Sequence, residues 1–423
     1  MKNEGNNENT AYTGFNRALA LIGEYTGPSG TEICSLADCP DYVLAEDICA
    51  LVSNPTNDIS LKDGYAIRSA DSEHAAEISP VELKNAGSVF AGGSFSGEVV
   101  PGQTVKIFTG ALVPDGADAV VPSEFCDEDA GTVRVKTGVS PGENIMPAGE
   151  DVAAETKIAG KGELLTPARL AFLAVAGIER VTVYRKPRVA IITTGDEMIM
   201  PGEKLKSGQV YASNAVQAGA WLSLLGIPYT NALVNDNTGS LRETLTGLLP
   251  GVDAIITGGG TMHGEHDLVT GVLDDLGWEM KFRHVRMRPG KGTAFGVLRG
   301  KPVFCLPGGA AGYVTGFLTL ALPGVCRMSG FNSSPLLGVR ARLTRDILGS
   351  DRDWTEFRQG RLELSEGGDL LVSPVSGVSR MKAMAEADCL LCKEEGTDSL
   401  HRNQSTTVRL LLPAFAAFSG ITP

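Results

Sequence analysis

The stretch Val252–Asp267, Val-Asp-Ala-Ile-Ile-Thr-Gly-Gly-Gly-Thr-Met-His-Gly-Glu-His-Asp, constrains this chain more than any other. Ala254, Ile255 and Ile256 form an apolar run that stops at three glycines, Gly258, Gly259 and Gly260. After Asp267 the spacing turns helical, with Leu268, Val269, Val272, Leu273 and Leu276, and Gly277 stands where a left-handed C-cap belongs. The order is strand, glycine loop, helix. A strand buried on both faces reads as one continuous apolar run, and its ligands sit beyond its carboxyl end. Glycines there let the backbone approach a ligand and turn N–H groups towards an anion. The stretch predicts an anion or phosphate cradle at the rim of a parallel α/β sheet.

Two further stretches repeat the design. Arg188–Met198 is an apolar run broken by Thr194-Gly195 and followed by acid, and Pro302–Ala310 runs into Pro307-Gly308-Gly309. An apolar, helix-like run from Tyr313 to Leu322 follows the second. Three such loops within about 120 residues predict one shared rim.

Four segments follow from texture. A chain of 423 residues exceeds one ordinary core. Met1–Thr10, polar and rich in Asn and Glu, predicts a frayed tail. Residues 11–53 and 143–185 read as a helical or mixed first domain. There Phe15, Ala18, Leu19 and Ile22 mark one helix, and Leu164 to Ala174 mark another that would pack on it. Residues 54–142, rich in Gly and Pro with short apolar runs, read as an inserted β domain. Residues 186–331 form the α/β module, with further helices over about Asn214–Leu225 and around Leu241, Leu245 and Leu248. Residues 332–423 return to alternating runs, among them Gly338–Leu343, Arg361–Leu364 and Thr407–Leu412, and predict a C-terminal β domain.

A formal charge of -13 argues against nucleic acid as the main partner. No apolar run reaches the length of a membrane span. Eight cysteines without a signal sequence suggest reduced thiols in the cytoplasm. Cys389-Leu-Leu-Cys392 has redox or zinc spacing, but its surroundings read as strand, so packed cysteines are the better reading.

An acidic chain that binds anions must concentrate positive charge locally. Phe282–Lys291 does so: in a strand, His284, Arg286 and Arg288 would share one face, with Lys291 on the turn that follows. A solvated edge strand is the plain alternative; the neighbouring glycine loops favour an oxyanion site. The loop carboxylates Asp58, Asp63, Asp151, Asp196, Glu197, Asp236 and Asp267 form the opposite set. They suit Mg²⁺ held partly by substrate phosphates, although Asp267 also sits where an N-cap belongs. Gly258, Gly260 and Gly264 miss the dinucleotide fingerprint by one place, and Gly290–Thr293 does not complete a P-loop.

Together the motifs resemble the molybdopterin molybdenumtransferases, the bacterial MoeA proteins and the gephyrin E domain. The matching stretches are Asp63–Ala66, Thr109–Val121, Pro141–Asn144, Gly149–Asp151, Pro187–Glu197, Ser213-Asn214, Ile256–Gly260, Arg288–Lys291 and Leu306–Gly309. They cover the chain from about Tyr12 to Leu412 in order. The resemblance implies a multi-domain α/β and β fold. Its parts are a helical N-terminal domain, an inserted β domain, a central α/β molybdopterin-binding domain and a C-terminal β domain, assembled as a homodimer. It implies molybdenum insertion into adenylylated molybdopterin, using molybdate and Mg²⁺ and releasing AMP. Transient contact with the adenylyltransferase and with molybdoenzyme apoproteins follows from the same reading.

By motif position the resemblance implies catalytic roles for Asp58, Thr109, Asp151, Glu197, Asp236 and Asp267, with Glu197 and Asp267 as metal ligands. It implies cofactor contacts at Thr194, Gly195, Ser213, Asn214, Gly258, Gly259, Gly260, Arg288, Lys291, Pro307, Gly308 and Gly309. The chain departs from the pattern at Lys62, His284, Arg288, Gly292, Gly309-Ala310 and Val378. These departures favour one alternative, a relative that binds the cofactor or scaffolds a partner without turnover; a second alternative is the same reaction with tungstate.

Overall fold

The computed structural model describes residues 12–259, 268–375 and 381–411. The expected tail, the loop Gly260–Asp267, Val378 and Leu412 lie outside these residues. The chain divides into two compact units, Ile33–Val183 and the remainder.

The larger unit is built on a six-stranded sheet. Its strands are β1 (Val189–Thr194), β2 (Tyr229–Val234), β3 (Ala254–Gly258), β4 (Glu279–Arg283), β5 (Ala294–Leu298) and β6 (Lys301–Leu306). Their order is β2-β1-β3-β6-β5-β4; the first four pair parallel, and β5 runs antiparallel to both its neighbours, β6 and β4. Successive side chains point to opposite faces. Val189, Ile191, Ala254, Ile256, Phe304 and Leu306 enter one core, and Ala190, Ile192, Ile255, Val303 and Cys305 enter the other. Helices cover both faces, which is why β1, β3 and β6 read as unbroken apolar runs. Each fully buried Val, Ile or Leu contributes about 1.5–3 kcal/mol.

The first core takes α1 (Phe15–Tyr25), through Phe15, Ala18 and Ile22, together with the helix Ser213–Leu224 and the helical run from Ala310 to Met328. A π-helical segment, Phe317–Ala321, interrupts that run. The second core takes Thr238–Leu248 and Leu268–Asp275. From β1 the chain goes outward to β2, then crosses back to β3 on the other side. The switch point therefore falls between the carboxyl ends of β1 and β3, where open α/β sheets bind ligands.

One expectation changes here. The helix at Pro167–Val175, capped by the Thr166 hydroxyl, does form, but its Leu173 packs with Leu44, Leu165, Val181 and Val183. It does not join the core that holds α1. An apolar stripe tells that a helix is buried, not which core receives it.

In the smaller unit, residues 64–135 form one sheet ordered Ala119–Pro122, Gly64–Ile67, Gln103–Ile107, Val81–Val89, Thr132–Val135, Cys126–Asp129. Gly64 admits the carbonyl of Val121 where any side chain would collide. The C-terminal strands Thr355–Leu364, Leu370–Pro374, Gly338–Leu343, Ser405–Leu410 and Cys389–Lys393 pair in sequence, and the last pairs back on the first. Closure removes both edges. Cys389 packs in this barrel's core and Cys392, on the opposite face of its strand, packs against the α/β core, so the two thiols do not face one site; burial pushes both up to about 12.

Candidate active site

A cavity of about 890 Å³ opens at the switch point. Its floor is glycine. Gly259 has φ +102°, and a side chain there would meet the hydroxyl and carbonyl oxygens of Thr194 at 2.7 and 2.9 Å. A side chain at Gly258 would meet the ring of buried Tyr313 at 2.6 Å. Gly308 lies against the backbone of Gly259, its Cβ position 3.4 Å from the Gly259 Cα. The expected role of these glycines as donors changes in part. The Gly195 N–H donates to Val234 O and the Gly259 N–H to Leu306 O, so these two supply close approach rather than N–H groups. Donors come instead from helix starts. The helices beginning at Ser213 and Ala310 have no side-chain cap, and their first turns line the cavity through Asn214 and through Ala310–Gly312. Uncapped first-turn N–H groups suit a phosphate. The Asn214 amide is oriented by its own bond, Nδ2 donating to Gly308 O at 2.9 Å.

The walls carry opposite charge. Glu197 and Asp236 line one side, following β1 and β2. Gly195 makes room for Glu197, since a Cβ there would lie 2.8 Å from its carboxylate. The Asp236 N–H donates to the Asp196 carboxylate at 3.0 Å. Desolvation, then the charges of Asp196 and Glu197, hold Asp236 above the usual carboxylate range. His284 and Lys291 line the other side.

That raised Asp236 gives a signed prediction. A carboxyl whose folded pKa exceeds its unfolded value favours the fold below the ordinary carboxylate range, and this contribution is lost as pH rises through the folded value. Asp236→Asn should therefore raise the melting temperature at pH 7 by a small amount. The gain should vanish as pH falls below about 4, where Asp236 is protonated in both states. Thermal melts across that range check it; a loss of stability at pH 7 contradicts the repulsion.

The basic stretch differs from the expected strand. β4 ends at Arg283, His284 adopts a left-handed φ of +66°, and Met287–Arg288 joins the C-terminal sheet beside Thr355-Glu356. His284, Arg286 and Arg288 therefore do not share one face. Arg286 pairs with Glu395 at 3.0 Å. Arg288 donates to the Ser350 hydroxyl at 2.7 Å and stacks over the Trp354 ring at 4.2 Å, and it is absent from the cavity lining. Lys291 remains there.

Thr194, Gly195, Glu197, Asn214, Asp236, Gly258, Gly259, Lys291, Pro307, Gly308 and Gly309 come together in this cavity; Ser213, adjacent to Asn214, is not part of its lining. Gly260 and Asp267 lie outside the described residues. Asp58, Thr109 and Asp151 belong to the smaller unit, on loops stitched to the segment 54–60. Asp58 accepts from the Ala148 N–H at 2.8 Å, and Asn54 donates to Asp151 at 2.8 Å. Thr109 donates through N–H and hydroxyl to Asp63 at 2.7 and 2.8 Å, and these bonds hold Asp63 below the usual carboxylate range. The sequence reading did not single out Thr193, Met198, Leu268, Ala311 and Gly312, which also line the cavity. Among the described residues no group of three His, Cys, Asp or Glu side chains converges to hold a metal alone. No described helix is long and apolar enough to cross a membrane.

Residues 13–177 match the MoeA N-terminal region (domain I and II), and residues 190–325 match a family described as a probable molybdopterin binding domain. A molybdopterin molybdenumtransferase of Haemophilus influenzae is 30% identical over 390 residues, covering 90% of this chain and 94% of its own. Molybdopterin molybdenumtransferase 2 of Mycobacterium tuberculosis is 32% identical over 362 residues, 84% of this chain and 89% of its own. The crystal structure of a molybdopterin biosynthesis MoeA protein from Pyrococcus horikoshii superposes with a TM-score of 0.81 at 30% identity, covering 95% of this chain and all of the other. The cavity at the switch point lies within the stretch matching a molybdopterin-binding domain, and the relatives align over nearly the whole length, so the chain belongs to the molybdopterin molybdenumtransferase family.

Proposed function

We propose that this protein is a transferase of molybdenum cofactor biosynthesis that acts on adenylylated molybdopterin and molybdate. It breaks the phosphoanhydride, releases AMP and leaves molybdenum on the dithiolene sulfurs. The observation that carries this reading is the division of charge around one glycine-floored cavity, with Glu197 and Asp236 on one wall and His284 and Lys291 on the other. The glycine floor and Asn214 suit a flat pterin, the uncapped helix starts suit phosphate, and the cationic wall suits a tetrahedral oxyanion. Asp236 lies within reach of the charges of Asp196 and Glu197, an acidic corner that suits a hard divalent cation held partly by substrate phosphates, and Glu197, with Asp267 by the family resemblance, is the side chain that would hold Mg²⁺. Bound there, Mg²⁺ would neutralise phosphate charge during anhydride cleavage. The carboxylates orient the pyrophosphate bridge, and Lys291 holds the oxyanion opposite it.

A second reading, binding without turnover, draws support from the departures Gly292 and Gly309-Ala310, all in the cavity lining. One experiment separates the readings: incubation with adenylylated molybdopterin, Mg²⁺ and molybdate or tungstate, following AMP. Turnover with either oxyanion supports the enzyme. Binding without AMP release supports the second reading.

We also propose a homodimer. Leu51, Val52, Phe172 and Val175 are exposed apolar residues around the loop at Gly177, a patch that a second copy would cover. Light scattering should give twice the chain mass at micromolar concentration, and Phe172→Glu should lower it. A monomer mass throughout removes this claim.

A further inference from the structure

The cationic wall is held from outside the α/β sheet. Residues 284–288 run between two other segments. On one side the Thr13 N–H donates to His284 O at 3.0 Å and the Arg286 N–H donates to Thr13 O at 2.8 Å. On the other, the Thr355 N–H donates to Arg286 O at 3.1 Å. An aromatic string runs along the same ribbon. The Tyr12 ring lies 5.4 Å from the His284 ring and 5.2 Å from the Trp354 ring, and Trp354 carries the Arg288 guanidinium on its face. Trp354 is itself buried. Ser350, which accepts from Arg288, donates to the buried carboxylate of Glu356 at 2.8 Å. His284 and Arg288 thus bracket the ribbon that leads into Pro289–Gly292, and both are seated against rings.

We propose that Tyr12 is a positioning residue for the oxyanion wall: wedged between His284 and Trp354, it fixes where His284 and Lys291 face the cavity. His284 has left-handed backbone, which a non-glycine residue keeps only when its surroundings over-determine it. Tyr12 and the two Thr13 hydrogen bonds supply that determination from a segment far away in sequence. A flat ring between two flat neighbours restrains tilt better than an aliphatic chain. This inference rests on the reading of the Lys291 wall as the oxyanion side.

The test uses the full chain and measures AMP release against molybdate concentration for wild type and for Tyr12→Ala, Tyr12→Phe and Lys291→Ala. Misplacing a binding group by about 1 Å commonly costs ten- to a hundredfold. Tyr12→Ala should raise the half-saturating molybdate concentration about tenfold with kcat at saturating molybdate kept, and Tyr12→Phe should restore the wild-type value. If Tyr12→Ala does not fold, Tyr12→Leu keeps the bulk without the ring and should give the same rise. A rise with Lys291→Ala but none with the Tyr12 variants overturns the positioning role. No rise with Lys291→Ala overturns the oxyanion reading on which it rests. A fall in kcat without change in half-saturation also overturns it, because that pattern marks general structural damage.

Discussion

Glu197→Gln is expected to slow AMP release by a hundredfold or more while leaving the protein folded. The exchange keeps the shape of the side chain and removes its charge, at a position where Gly195 has already made room. No core residue loses a contact. What is lost is the group proposed to meet the phosphoanhydride, and removing one such polarising or orienting group commonly costs about 3–4 kcal/mol of barrier. Single-turnover AMP release at saturating molybdate, beside a melting curve, reads both halves. A wild-type rate would take Glu197 out of the chemistry and move attention to Asp236.

Gly259→Ala should damage both the fold and the cavity floor. The left-handed backbone disfavours any side chain, and the added carbon would press on the carbonyl oxygen of Thr194, which cannot rotate away. Strain of this kind costs about 1–3 kcal/mol, and crowding in a packed site adds a similar amount. The strand ends of β1 and β3 would have to part, which moves Gly195 and Glu197 with them. We expect a loss of about 2–4 kcal/mol of stability in denaturant titrations, together with loss of most AMP release. Retention of both would mean that the floor is softer than its contacts indicate.

Much of the α/β core was legible because burial on both faces makes strands such as Ala254–Gly258 continuous and apolar. The helix at Phe15–Tyr25 was legible from its stripe, yet its partners were not, because periodicity carries no address. The stretch around His284 misled for a different reason. Alternating charge is the pattern of a strand, but one left-handed residue sends the chain from one sheet into another, and no residue type there announces the turn. Thr109 and Asp63 are 46 residues apart, so their bond leaves no local trace. The glycines were legible as a site and misread in part as donors: sequence tells where the backbone can come close, not whose carbonyl claims each N–H.

The ribbon through residues 284–288 bears on how this protein can be taken apart. Residues 190–325 match a module by themselves, yet each of three hydrogen bonds that flank His284 and Arg286 has its other partner outside that stretch, at Thr13 or Thr355. The residues that hold this ribbon thus extend beyond the 190–325 module. Grafting the α/β module alone onto another protein would transplant the glycine floor and the carboxylate wall without the scaffold of the third side. Chimeras between relatives would have to exchange Thr13 and the start of the Thr355 strand together with the module, since hydrogen bonds join all three.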